Sequence, residues 1–194
     1  MYKDIENKFV KNSGFLQSSD ISTRTDWRML RKMIDNKKVT KVKRGLYKLN
    51  DSNIDTQMIE VAKSFPFAVF GLFSAWRYYE LSTYIPFAFH IVIPHNKYIK
   101  LPDYPPLRVY YLTEKAYKLG IKEIDMSGSK IKIYDLEKSV CDAIRFRNKV
   151  GIDTTIEVLK NYVKRKDRDL NLLSKYAQQL RIENIMQTMI MPLL

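Results

Sequence analysis

The sequence predicts an α+β protein in two parts. Residues 1–50 read as a winged helix-turn-helix, residues 51–55 as a linker, and residues 56–194 as an α/β domain with a small mixed sheet and a helical tail. Three observations predict this. Trp27, Leu30, Met33 and Ile34 recur at helical spacing. A short basic hairpin pattern, VTKVKRGLYKL, follows at once. In the rest of the chain, short β-branched and aromatic runs alternate with helical ones.

The elements follow in order. Tyr2 to Asn12 carries Tyr2, Ile5 and Phe9 on one helical face, and Ser13-Gly14 ends it. SSDIS predicts a short second helix capped by Ser18 or Ser19. Thr23 to Asp26 has the spacing of a capping box, with Asp in place of Glu. In the helix that follows, the apolar residues take one side of the wheel and Arg28, Arg31, Lys32 and Asp35 the other. Asn36-Lys37 stops it. Two strands then flank Gly45, which can take the positive φ of a tight turn.

Charge marks this region. The chain has 34 Lys and Arg against 21 Asp and Glu, a net of +13. Residues 1–50 hold thirteen basic and five acidic residues, a net of +8, while the other 144 residues supply only +5. Such a balance attracts polyanions. A helix of this width fits the major groove of DNA, where base edges carry a distinct donor–acceptor code. Arg24, Thr25 and Arg28 open the helix and are the expected base readers; Arg31 extends its cationic side. Lys43 and Arg44 at the wing tip are expected at phosphate or the minor groove, and Lys32, Lys37, Lys38 and Lys41 at phosphates. The expected ligand is double-stranded DNA. The plain alternative is that each basic element is merely a solvated face; their adjacency argues against it.

In the C-terminal part, Thr56 to Phe65 predicts a connecting helix and FAVFGLF a buried strand. SAWRYYELS predicts a helix capped by Ser74, and FHIVIP and LRVYYL predict strands. IKEIDM and SKIKIY predict a hairpin about Ser127-Gly128. Asp135 caps a helix to about Asn148, and three more are expected at 153–164, 170–180 and 183–191. The aromatics Trp76, Tyr78, Tyr79, Tyr110 and Tyr111 suit core packing and a partner interface better than stacking on single-stranded bases. YVKRKDRDL reads as a solvated charged loop.

The sequence offers little chemistry. Glu123 and Asp125 share a strand face, but neighbouring Lys122, Lys130 and Lys132 point to a solvated hairpin. His90 and His95 flank Pro94 without a third ligand at fitting spacing, and no HExxH exists. The one cysteine, Cys141, excludes an internal disulfide and suits the core. Ser74 lies outside any GxSxG, and no P-loop or GxGxxG is present. No catalytic residue, cofactor or metal is expected. No run reaches the ~18 apolar residues of a membrane span, and MYKDIENKFV has no long apolar stretch. A cytoplasmic protein without membrane contact is the expectation.

The recognition-helix pattern followed by KVTKVKRGLYKL resembles the N-terminal domain of AbiEi-family antitoxins of type IV toxin–antitoxin systems. Arg44-Gly45-Leu46-Tyr47 matches the family's wing. PFAVFGLFSAWRYYELS is similar to its strand and Ser-Ala helix, through Ser74 and Ala75, and FHIVIP to its next strand. IKIYDLEKSVCDAIRFRNKVG is similar to its strand-then-helix element, through Glu137-Lys138-Ser139-Val140-Cys141-Asp142. The resemblance implies a repressor of its own operon in the abortive-infection class. Its C-terminal domain would counter a nucleotidyltransferase-type toxin without a stable complex. Two other readings share the pattern. One is a winged-helix regulator unrelated to toxin–antitoxin function. The other is a nucleic-acid-processing enzyme using the basic arm for delivery.

Overall fold

Helix α1, Lys3–Lys11, buries Ile5 and Phe9. It stops where Ser13 and Gly14 take positive φ and the Gly14 N–H reaches back to the Phe9 carbonyl at 2.7 Å. The computed structural model describes residues 3–50 and 56–193. Tyr2 and the expected 51–55 linker therefore lie outside the described residues.

The next element departs from expectation. Phe15–Gln17 is a strand, β1, and SSDIS yields only one 3-10 turn, Ser18–Asp20. The turn's cap is at Gln17, whose N–H donates to the Asp20 carboxylate at 3.0 Å, not at Ser18 or Ser19. Helix α2, Arg24–Asp35, and strands β2, Val39–Lys43, and β3, Leu46–Leu49, then form as expected. Gly45 turns the hairpin at φ +81°. The three strands make an antiparallel sheet ordered β1-β3-β2. Ile5, Phe9, Leu16, Leu30, Met33 and Val39 form its shared core with the helices.

Helix α3, Thr56–Ser64, belongs with this first unit, which comprises Met1–Pro66 and Ile124–Ile131. The division after Pro66 differs from a boundary at 51–55. Its reason is contact that spacing along the chain does not show. Lys48 pairs with Glu60 at 3.0 Å, and the Lys43 ammonium donates to the Ser64 carbonyl. Ser13 Oγ donates to the Ser127 carbonyl at 2.7 Å and accepts from Ser129 Oγ at 2.9 Å, which brings 124–131 into the unit.

The second unit, Phe67–Glu123 with Lys132–Leu194, begins with β4, Val69–Phe70, much shorter than FAVFGLF suggested. Gly71 follows where a Cβ would lie 2.9 Å from Val92 Cγ2 and 3.1 Å from the Tyr134 ring. Leu72 at φ 47° then turns the chain into α4, Phe73–Tyr78. Ser74 is therefore inside the helix and not its cap; its buried Oγ accepts the His90 N–H at 2.8 Å. Strands β5, Phe89–Pro94, and β6, Leu107–Leu112, precede a five-residue helix, α5, Glu114–Lys118, which the apolar pattern did not reveal. Strands β7, Ile121–Met126, and β8, Ser129–Tyr134, form the expected hairpin. The five-stranded sheet runs β6-β5-β4-β8-β7 and is mixed: β5 and β6 are parallel, β4 and β8 are parallel, and β4 and β5 are antiparallel.

Helix α6, Leu136–Arg145, ends before Asn148, and a separate turn of helix, α7, spans Arg147–Val150. Helices α8, Ile152–Val163, α9, Leu170–Leu180, and α10, Glu183–Ile190, complete the tail. Among the described residues, no helix is long and apolar enough to cross a membrane.

Helix α6 carries the unit's charged core. Asp135 caps it by accepting the Lys138 N–H at 2.8 Å. Lys138 and Asp142, both 0% exposed, pair at 2.6 Å, and the ammonium lies 4.0 Å from the Tyr134 ring centre. Burial raises the Asp142 carboxyl above its ordinary value, and the Lys138 ammonium opposes that rise. Glu137 accepts from the Asp169 N–H at 3.0 Å and the Tyr162 hydroxyl at 3.3 Å. The Trp76 indole donates to the Ser139 carbonyl at 2.9 Å. Cys141 is buried, and its thiol is pushed up by burial, so it is a core residue.

A buried ion pair costs most when one partner is removed. Lys138→Met is expected to lower the unfolding free energy by about 3–5 kcal/mol, and Lys138→Met with Asp142→Leu to recover most of that loss. Urea titrations of both variants check this; a single variant as stable as the natural chain would refute it.

Candidate nucleic-acid interface

Helix α2 starts cleanly because Thr23 is extended and its hydroxyl accepts the Asp26 N–H at 3.1 Å. It ends in a Schellman turn. Lys37 takes φ 55°, its N–H meets the Ile34 carbonyl at 2.9 Å, and the Lys38 N–H meets the Met33 carbonyl at 2.9 Å. Between these ends Leu30 and Met33 are buried. Trp27 is half-buried, edge-on to Tyr47 at 6.4 Å between ring centres.

With that face fixed, the opposite one is cationic. Arg24, Thr25, Arg28, Arg31 and Lys32 are exposed and, with Trp27, line a shallow concavity of about 630 Å³. Among the described residues no carboxylate forms an ion pair with Arg24, Arg28, Arg31 or Lys32. The acid in the helix's first turn, Asp26, is neutralised from outside it. Lys8 of α1 pairs with it at 2.8 Å and also donates to the Asp20 carbonyl at 3.2 Å. That hydrogen bond holds the Asp26 carboxyl below its usual value. Sequence reasoning missed Lys8, which lies 18 residues from its partner, and no local spacing signals such a contact.

The hairpin divides its cations. Lys41 is exposed on β2, and Arg44 is exposed in the turn beside Gly45. Lys43 is exposed too, but its ammonium is engaged within its own unit. Its ammonium donates to the Ser64 carbonyl and sits 5.8 Å from the Phe65 ring centre, and desolvation lowers its pKa. Lys37 and Lys38 are exposed at the end of α2. The expected residues thus fall in two groups, a helical face from Arg24 to Lys32 and a hairpin rim through Lys41 and Arg44, with Lys43 turned to its own α3. A row of guanidinium forks that form no ion pair within the described residues can make paired hydrogen bonds to base edges or phosphates.

No comparable constellation occurs at the other residues considered for chemistry. Glu123 and Asp125 are exposed, and Asp125 accepts the Gly128 N–H at 3.0 Å to close the hairpin turn. His90 is buried beside the Tyr110 hydroxyl, 3.1 Å from Nδ1. Burial, with Arg108 nearby, pushes its pKa down to about 4. Among the described residues no group of three or more His, Cys, Asp or Glu could hold a metal ion. In the charged loop after α8, Arg165 is held by Asp167 at 2.8 Å and by the Tyr79 carbonyl at 2.8 Å.

No protein-family model matches the chain, and no curated protein matches its sequence. Among solved structures, the fold is similar to that in the crystal structure of RV2827C protein from Mycobacterium tuberculosis. The TM-score is 0.55 at 9% identity, covering 98% of this chain and 80% of that one. At that identity the likeness is one of fold alone.

Loss of an N-cap hydroxyl typically costs ~1 kcal/mol. Thr23→Ala is expected to lower stability by about that much, because it leaves the Asp26 N–H unsatisfied at the start of α2. Chemical denaturation of the variant checks this, and an unchanged midpoint would mean that the cap contributes nothing.

Proposed function

We propose that the protein is a DNA-binding transcriptional repressor and antitoxin. It autoregulates its own operon and counters a nucleotidyltransferase-type toxin encoded beside it. The observation that carries the DNA-binding part is the exposed cationic face of α2, on which Arg24, Arg28, Arg31 and Lys32 form no ion pair and Asp35 is the one acid. The order of the first unit supports a winged helix-turn-helix: α1, β1, a short turn, α2, then a hairpin, in a sheet ordered β1-β3-β2. In this reading the second helix has shrunk to the 3-10 turn, α2 enters the major groove, and Arg44 is the wing's outermost cation.

The antitoxin part rests on the ordered resemblance to AbiEi-family antitoxins. Arg44-Gly45-Leu46-Tyr47 forms the wing, Ser74-Ala75 lies in α4, and Glu137 to Asp142 lies in α6. The proposed partners are operator DNA and, functionally and without a stable complex, the toxin. Growth of cells expressing an adjacent nucleotidyltransferase, with and without this chain, tests that part. No rescue would reduce the proposal to a repressor.

The DNA-binding part is tested by titrating a labelled fragment from upstream of the gene beside a scrambled fragment, over a salt series. Specific binding requires the native fragment to win by ~10³ or more at moderate salt. Equal binding of both fragments that fades steeply with salt would leave only a general polyanion grip.

Arg28→Ala is expected to relax preference at one base position, at a cost of ~1–3 kcal/mol on the native fragment. Equal weakening on every sequence would refute base reading. Arg44→Ala is expected to flatten the salt dependence by about one unit of slope, and Lys43→Ala to leave it unchanged because that ammonium already has a protein partner. The reverse result would mean that Lys43 leaves Ser64 on binding.

A further inference from the structure

A second surface, independent of α2, lies wholly within the second unit. A chain of ring contacts crosses one face of its sheet. Tyr84 lies 5.1 Å from Phe73, Phe73 4.9 Å from His90, His90 5.5 Å from Tyr110, and Tyr110 5.3 Å from Phe146, centre to centre. The register of β5 on β6 sets Arg108 beside His90, and strand alternation sends Arg108 and Tyr110 to the same face. His90 is buried at the middle of the row, Phe73, Tyr110 and Phe146 are half-buried, and Tyr84 is 53% exposed.

Cations stand beside the middle of this row and at its Phe146 end. Phe87, 72% exposed just before β5, carries the Arg108 guanidinium over its ring at 5.6 Å. Over Phe146 lie Lys149 at 5.7 Å and Arg145 at 6.0 Å. Among the described residues none of these three cations forms an ion pair with a carboxylate. The row itself is uncharged at neutral pH, because His90 titrates near 4. Exposed rings scattered singly need no explanation. A continuous row with cations that form no ion pair beside its middle and at one end is a different arrangement.

We propose that this face binds single-stranded nucleic acid, with bases stacking on Tyr84, Phe87 and the open sides of Tyr110 and Phe146, and phosphates held by Arg108 and Lys149. Unpaired bases present the π-faces that such rings accept, whereas duplex bases are stacked on one another. Charge favours this ligand over an acidic peptide, which would satisfy the cations and leave the rings without planar partners.

The test uses the full chain and labelled, unstructured 15-residue oligouridylate and oligothymidylate, with a duplex of the same length, followed by fluorescence anisotropy. The double variant Tyr84→Ala/Phe87→Ala is expected to weaken single-strand binding by roughly tenfold or more, since stacking contributes ~1–3 kcal/mol per base. Duplex binding should be unchanged. Arg28→Ala should do the opposite. Arg108→Ala/Lys149→Ala is expected to lower the salt slope on single strands by about one unit. The relative affinities of the two oligonucleotides identify RNA or DNA as the ligand. Three results would each overturn the proposal. One is absence of single-strand binding by the natural chain. Another is full single-strand affinity in the aromatic variant. The third is parallel loss of single-strand and duplex binding in that variant. Because all four replaced side chains are exposed, unchanged thermal melting is expected to accompany each variant.

Discussion

The burial of Leu30 and Met33 against Ile5, Phe9 and Val39 is the constraint on which the first unit depends. At ~100° per residue, fixing two side chains of a helix fixes the direction of all the others. Once those two point inward, Arg24, Arg28 and Arg31 must point out together. The helix cannot roll to shelter its cations without lifting its apolar stripe into water. Thr23 sets where the helix starts, and the left-handed Lys37 sets where it stops. Lys8 then removes the one acid near the start from the electrostatic account of that face. Core packing, capping and one ion pair together produce a mainly cationic surface, broken only by Asp35 at the end of the helix, and no cation needs to be placed by a contact of its own.

The same reasoning explains what could be read in the sequence. Period and punctuation are local, so elements that rest on them were legible. α9 spans Leu170–Leu180 as its pattern predicts, α2 runs from its Thr23 cap, and Gly45 sits at the hairpin turn. Elements that depend on distant partners were not. Phe15–Gln17 is too short to show alternation and becomes a strand only because residues 46–48 pair with it. Ser74 looked like a cap because it opens a helical run. The helix in fact begins one residue earlier, after Leu72 turns the chain, and the hydroxyl is taken by His90. At the site, the helical face was legible for the same reason the helix was. The engagement of the Lys43 ammonium was not, because its acceptor is the Ser64 carbonyl 21 residues on.

The second unit handles charge in the opposite way. In α6 the run Glu137 to Asp142 is buried throughout, though four of its six residues are charged or hydroxylic. Dehydrating Lys138 and Asp142 is costly, and only a close pair with further polar neighbours offsets it. The 2.6 Å contact and the Tyr134 ring meet that requirement for the pair. Glu137, with two donors, and Ser139, whose hydroxyl donates to the Asp135 carbonyl at 2.7 Å, meet it beside the pair. The resemblance of this run to a family pattern therefore describes an internal framework, because none of its side chains reaches a ligand from outside.

The two proposed surfaces would meet a polyanion through different local physics. On α2 the cations stand on the outer side of a helix whose apolar residues are mostly turned inward, an arrangement that would suit a groove whose bases show only their edges. On the second unit the cations stand beside the middle of a row of rings and at its Phe146 end, and the exposed ring faces would suit bases turned outward. Charge alone would not separate the two surfaces, since both attract phosphate and both weaken with salt. What separates them is the apolar partner beside the charge. Trp27 is half-buried and in edge contact with Tyr47, whereas Tyr84 and Phe87 are more than half exposed. Under the two proposals, the form of nucleic acid each surface would prefer follows from ring exposure, and net charge would set only the strength of attraction they share.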